Sequence, residues 1–122
     1  MAMMYTYAKF KIHPGKATEF KALVERCVAI VRDSEPGTVF YEWFLNADET
    51  ECVALDAYVD LDAVMTHVAH IAPLMRALLA ISERHLEIYG ADPSARFAGR
   101  TTARVSDYFA PRFAGKPPAA AL

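Results

Sequence analysis

The stretch Tyr58-Val59-Asp60-Leu61-Asp62-Ala63-Val64-Met65-Thr66-His67 passes from the end of a strand into a short helix. It delivers one histidine to the rim of an apolar face. Asp60 is placed to cap the helix, since its side chain can accept from the first free backbone N–H groups. On that helix Leu61, Val64, Val68 and Ile71 define the buried side. Pro73 suits the first turn of a continuing helix that runs to about residue 80.

Working outward, residues 3–12 are rich in aromatic and β-favouring types and stop at Pro14-Gly15, a turn signal. Residues 17–33 read as a helix, with Phe20, Leu23, Val24, Cys27, Val28, Ile30 and Val31 on one stripe. Glu35-Pro36-Gly37 ends it, because proline disfavours helical geometry at the residue before it. Residues 38–45 and 50–58 are strands joined by a hairpin at 46–49, and residues 84–89 are a fourth strand closed by Gly90. The order is β-α-β-β-α-β, an α+β, ferredoxin-like protomer with both helices on one face of an antiparallel sheet. Residues 1–91 form this domain. Residues 92–122 form an extension in which 101–109 can add a strand or arm and the end is frayed.

Both strand faces are apolar. In 38–45, Val39, Tyr41, Trp43 and Leu45 face one way, with Phe40 and Phe44 opposite and Glu42 between them. In the next strand Val53, Leu55, Ala57 and Val59 oppose Cys52, Ala54 and Tyr58. Two helices cover one face only, so a second copy of the chain is expected on the other, as a homodimer with sheets face to face.

Composition excludes several classes. A 122-residue chain with 54% hydrophobic and 23% charged residues fits one folded domain. The net charge of −2 divides into +3 from residue 92 onward (Arg96, Arg100, Arg104, Arg112 and Lys116 against Asp92 and Asp107) and −5 before it. No basic run suits nucleic acid. No signal-like leader is present and no apolar run approaches membrane-spanning length, so a cytoplasmic protein is expected. Cys27 and Cys52 lie on apolar faces without a CxxC and read as buried thiols in a reducing compartment.

His67 is the candidate catalytic residue. A neutral imidazole at a core border can take a proton or hold a ligand oxygen, or it can simply satisfy a backbone carbonyl. Tyr58, Trp43 and Tyr41 are candidate walls of a flat aromatic pocket, or packing residues. Arg76 can hold an anionic ligand or bridge at the surface. His70 is expected to point outward, and His85 and His13 show no partner. Asp60, Asp62, His67 and His70 do not converge, so no metal is expected. Glu42 and Asp56 sit inside apolar strands and are read as structural ion pairs with Arg76, Arg84 or the arginines of the extension, in preference to acids of the pocket. With no phosphate loop, dinucleotide fingerprint or nucleophile elbow, no cofactor is expected beyond a small exogenous one.

Four segments then carry a resemblance. Pro14-Gly15-Lys16 precedes the helix with Phe20, and Glu35-Pro36-Gly37-Thr38 leads to Tyr41-Glu42. Tyr58-x-Asp60-x-Asp62-Ala63-x-x-x-His67 and Ile88-Tyr89-Gly90 follow. In this order, over about residues 3–90, the chain resembles the antibiotic biosynthesis monooxygenase family of dimeric α/β-barrel proteins. The resemblance implies a protomer that dimerises through its sheet. It also implies oxidation of a phenolic, quinol or anthrone-like aromatic by dioxygen without flavin or metal. A non-catalytic small-molecule binder or stress-related protein of the same fold is the alternative. Haem degradation, also found in the family, uses a first-strand asparagine, a tryptophan and the helix histidine. Only His67 has a counterpart here, and Trp43 lies on an earlier strand than that pattern requires.

Overall fold

The computed structural model describes residues 3–90, together with the backbone of 104–105. Strand β1 (Met4–Ile12) is followed by α1 (Ala17–Ser34), β2 (Thr38–Leu45), β3 (Glu51–Tyr58), α2 (Leu61–Ala80), β4 (Ser82–Tyr89) and the short β5 (Arg104–Val105). The sheet order is β2-β3-β1-β4-β5. Pairing is antiparallel from β2 to β4, and β5 joins the outer edge of β4 in parallel, Glu87 opposite Arg104. The ferredoxin-like order read from the sequence therefore holds. Beyond β5 the extension lies outside the described residues, as does its expected frayed end.

Local chemistry explains the elements. The β2–β3 hairpin is held by Asn46, whose side-chain oxygen accepts from the Thr50 and Glu51 N–H groups. Asp60 caps α2 by accepting from the Ala63 N–H at 2.8 Å, as the sequence suggests. Gly37 lets the chain between α1 and β2 press against that first turn: a Cβ added there would sit 2.7 Å from Ala63 Cβ. Gly90 has φ +115°, and any side chain there would run into the Met3 carbonyl. The Asp60 cap and the Gly37–Ala63 approach fix where α2 begins.

Three expectations about α2 need correction. It is one helix and not two, with Pro73 inside it. Proline has no N–H to offer the Ala69 carbonyl, yet packing on both sides of the break keeps the helix continuous. The buried residues are Val64, His67, Ile71, Leu74 and Leu78, while Val68 is 42% exposed. By length and mean hydropathy (1.3) α2 also reaches membrane-spanning character, contrary to the sequence reading. Its buried stripe nevertheless packs on the sheet as a core helix does.

The core falls into two clusters. The larger joins Phe10, Phe20, Cys27, Cys52, Leu74 and Leu78; the smaller joins Met4, Tyr58, Val64 and Ile88. Phe10 stacks on Trp43 at 5.4 Å and meets Phe20 edge-on at 5.5 Å. Both cysteines are free and buried. Burial pushes each thiol up to about 11, which leaves them protonated and unreactive.

Candidate active site

The inner face of the sheet and the underside of α2 do not close completely on each other. Between them lies a cavity of about 590 Å³. Its floor alternates along the strands as the pleat requires: Thr6, Ala8 and Phe10 from β1, Tyr41 and Trp43 from β2, Ala54, Asp56 and Tyr58 from β3. Its roof comes from α2, including His67, Ile71, Met75 and Arg76, and β4 adds Arg84, Leu86 and Ile88. The five residues singled out from the sequence, His67, Tyr58, Trp43, Tyr41 and Arg76, thus all line one cavity.

His67 is held from behind. Its Nδ1 lies 2.8 Å from Glu35 Oε1, and both side chains are almost fully buried. Glu35 sits at the C-cap of α1 and also accepts from the Thr38 hydroxyl at 2.9 Å. A carboxylate on Nδ1 favours the tautomer with the proton there and leaves Nε2 as the free acceptor of a neutral ring. The ring packs against Tyr41 (5.0 Å between centroids) and Tyr58 (5.4 Å), which limits its rotation.

Glu35 was not among the sequence candidates. Its partner is 32 residues away, and the packing of α1 on α2, with the Gly37–Ala63 approach and the Val59 N–H donating to the Gly37 carbonyl, brings the two together. His70 lies on the exposed side of α2, as expected, yet it has a partner that the sequence did not indicate. It is partly exposed but places Nδ1 3.0 Å from Glu35 Oε2, so one buried carboxylate joins two histidines. His85, read as unpartnered, meets Glu87 at 2.7 Å on the surface.

Asp56 takes the less favoured of its two sequence readings, an acid of the pocket wall. It is not ion-paired with an arginine, as the sequence reading had it. Instead it accepts from the Tyr58 hydroxyl at 2.8 Å, two residues along the same strand face. Glu42 is exposed on the outer face of the sheet. Burial raises the Asp56 carboxyl above its ordinary range, against the lowering effects of the Tyr58 hydrogen bond and the neighbouring His67.

That raised value has a sign for stability. The unfolded carboxyl loses its proton near the ordinary 3.8, while the folded one keeps it to higher pH. Folded protein then binds more protons than unfolded, so stability falls as pH rises through this window and levels off above the folded value. Asp56→Asn is expected to flatten that decline in thermal unfolding followed from acid to neutral pH. An unchanged decline would show that the carboxyl titrates normally.

Three buried polar atoms in the cavity wall, Tyr41 Oη, Trp43 Nε1 and Asp56 Oδ1, lack a hydrogen bond of good geometry among the described residues. Trp43 and Cys27 lie close to the Tyr41 hydroxyl, and Thr6 lies close to the Asp56 carboxyl. Leaving buried polar atoms unpaired costs about 1–3 kcal/mol each. Three of them along one cavity wall mark a surface that a ligand or water completes. Burial also pushes the Tyr41 hydroxyl well above the usual phenol range, so it stays protonated and available as a donor. Among the described residues no three metal-binding side chains converge.

Comparison with known proteins places this arrangement. The chain is similar to SnoaB, a cofactor-independent oxygenase from Streptomyces nogalater, in the structure of its N63A mutant: 25% identity, TM-score 0.64, covering 73% of this chain and 92% of that one. A candidate antibiotic biosynthesis monooxygenase from Caulobacter crescentus gives 24% identity and TM-score 0.65, covering 71% and 87%. MupZ from Pseudomonas fluorescens shares the fold at 18% identity and TM-score 0.78, covering 95% and 90%. No curated protein matches the chain. Residues 3–78, well over half of the sequence, match the family profile itself, and the chain belongs to the antibiotic biosynthesis monooxygenase family.

Proposed function

We propose that this protein is a cofactor-independent monooxygenase that oxidises a phenolic, quinol or anthrone-like aromatic with dioxygen. One observation carries the reading: an aromatic-walled cavity of about 590 Å³ holds three polar atoms without a good hydrogen bond beside a histidine clamped by a buried carboxylate. The volume lies within the range of small-molecule sites. Family membership and the likeness to an oxygenase of this type support the same chemistry.

In this reading a planar ring lies between Trp43 and Tyr41 on the floor and α2 above. His67 Nε2 takes the proton of the substrate's acidic hydroxyl or enol, and the imidazolium is held by Glu35 behind it. Tyr41 Oη and Trp43 Nε1 donate to substrate oxygens that gain negative charge. The resulting electron-rich carbon passes electrons to dioxygen. For an anthrone, one oxygen atom becomes the new carbonyl, two C–H hydrogens are lost, and the second oxygen leaves as water. The protein's share is to bind, deprotonate and exclude solvent.

The test is aerobic incubation with anthrone and with quinols, with oxygen uptake and the fate of labelled dioxygen followed by mass spectrometry. One labelled oxygen per anthraquinone supports the reading. A compound that raises the melting temperature yet is recovered unchanged in air supports the alternative, a binding protein of the same fold.

The proposal includes a homodimer. Phe40, Phe44 and Leu55 are 41%, 48% and 37% exposed on the sheet face away from the helices. Apolar groups at this density on one face favour a second sheet. Light scattering is expected to give twice the chain mass, with Phe44→Lys shifting it toward monomer. A wild-type chain that stays monomeric at micromolar concentration overturns it.

A further inference from the structure

Glu35 connects two places that differ in their access to water. Its Oε1 meets His67 Nδ1 at 2.8 Å, and its Oε2 meets His70 Nδ1 at 3.0 Å. The side chains of Glu35 and His67 are 2% and 5% exposed, against 39% for His70. His67 lines the cavity, whereas His70 lies on the exposed side of α2 and does not. The three residues therefore run from cavity to solvent through one carboxylate.

Local structure sets this up. His67 and His70 are three residues apart on α2, a spacing that lets both rings reach a single group. Glu35 stands at the end of α1, and the packing of α1 on α2 brings its carboxylate to both of them. Thr38 also donates to Oε1, so three side chains orient the carboxylate.

One buried carboxylate balances one positive charge. With both rings protonated the cluster would carry an uncompensated charge at the edge of the core, which is costly. The two histidines are thus coupled: a proton gained by one favours loss of a proton by the other. Other ionisable groups nearby do not take this part. Burial favours the neutral forms of Cys27 on α1, Tyr41 on β2, and Asp56 and Tyr58 on β3. Arg32, beside Glu35 in the cleft between α1 and β2, pairs with Asp33 at the surface. On α2, Asp60 caps the first turn, and Asp62 and Arg76 are at least five residues from either histidine. On β4, Arg84 lies four strand residues from the row that holds Asp56.

We propose that His70 is the proton outlet of the site, a positioning residue that gives its Nε2 proton to water when His67 takes a proton from the substrate. The exchange balances. The substrate loses one proton to His67 Nε2 and becomes an anion, and His70 passes one proton from Nε2, the nitrogen that Glu35 does not engage, to water. Glu35 stays a carboxylate throughout, and its compensating charge moves from one ring to the other. No proton crosses the cavity, and the cluster keeps its net charge while the anion forms beside His67. Proton return to the departing oxygen reverses the exchange. The assignment rests on the oxidative reading above for the acid that His67 deprotonates, but the coupling belongs to the free protein.

The first test therefore uses ligand-free protein. The His67 ring resonances are followed by NMR from about pH 5 to 9 in wild type, His70→Ala and His70→Gln. Without its competitor for Glu35, His67 is expected to hold its proton to higher pH in both variants. An unmoved His67 titration overturns the outlet, whatever the protein catalyses.

The second test adds anthrone without oxygen, and titration calorimetry in buffers of different ionisation enthalpy counts the protons released. Wild type is expected to release up to about one proton per anthrone bound at the acid end of the range, falling toward zero at the alkaline end. His70→Ala should release none at any pH. Oxygen uptake is then read on the same proteins in air. Oxygen uptake with proton release independent of His70 removes the outlet and leaves the oxygenase reading standing. Release that depends on His70 without oxygen uptake keeps the outlet and removes the oxygenase reading. An anthrone that does not bind, or binds wild type without releasing a proton, overturns the outlet.

Discussion

His67→Ala is expected to lower aerobic turnover of an anthrone or quinol by roughly 10²–10⁴-fold, the usual worth of a positioned general base. The direction follows from geometry. Nδ1 is already engaged by Glu35 at 2.8 Å, so Nε2 is the nitrogen left to accept a substrate proton. A buried carboxylate behind the ring stabilises the imidazolium formed, in a setting where water is largely excluded. Affinity should change far less than turnover, since the ring contributes one wall among many. Removing the imidazole also leaves Glu35 Oε1 with Thr38 alone inside a buried site, and some stability will go with it. Turnover is therefore measured per folded molecule, with the folded fraction taken from thermal unfolding.

Glu35→Gln separates the two parts of this claim. The amide keeps an oxygen for Nδ1 but loses the charge, so activity should fall less than in His67→Ala while the pH–rate profile moves. A fall in activity with an unmoved profile would assign Glu35 to packing only. Undiminished turnover by His67→Ala would transfer the proton to Asp56, which lines the same cavity and whose carboxyl is made more basic by burial.

What the sequence disclosed and what it hid divide along physical lines. Strand and helix periods, Pro14-Gly15 and the 46–49 hairpin are local signals, and the β-α-β-β-α-β order follows from them. Alternation along β2 and β3 likewise put Tyr41 with Trp43, and Cys52 with Ala54 and Tyr58, on common faces, and all but Cys52 line the cavity. The same alternation contained the Asp56–Tyr58 pair, since residues two apart share a face. Spacing alone does not single it out, because a buried carboxylate can be satisfied by an arginine as well as by a phenol. Glu35 offered no local signal, because its role depends on α1 and α2 meeting. Leu61 lies in the first turn of α2 and is only partly buried, so it is a weak guide to the helix's phase. The interior positions Val64, Ile71, Leu74 and Leu78 rotate the stripe, which buries His67 and turns Val68 outward.

Phe10→Ala is expected to destabilise the fold by about 3–5 kcal/mol, a large part of the usual stability of a domain this size. Phe10 is fully buried in the second half of β1, the strand that pairs with both β3 and β4. Its ring stacks on Trp43 and meets Phe20, so its loss opens a void between the sheet and α1 as well as forfeiting two aromatic contacts. The void would adjoin the existing cavity, since Phe10 also forms its floor. Collapse is resisted there because Phe20 still contacts Trp43 at 6.4 Å and holds the surrounding frame apart. The measurement is denaturant unfolding of wild type and variant under the same conditions. A loss under about 1 kcal/mol would mean that the floor repacks freely. A large loss would identify the aromatic cluster as what keeps the cavity open without ligand, with Trp43 acting as both pocket wall and core.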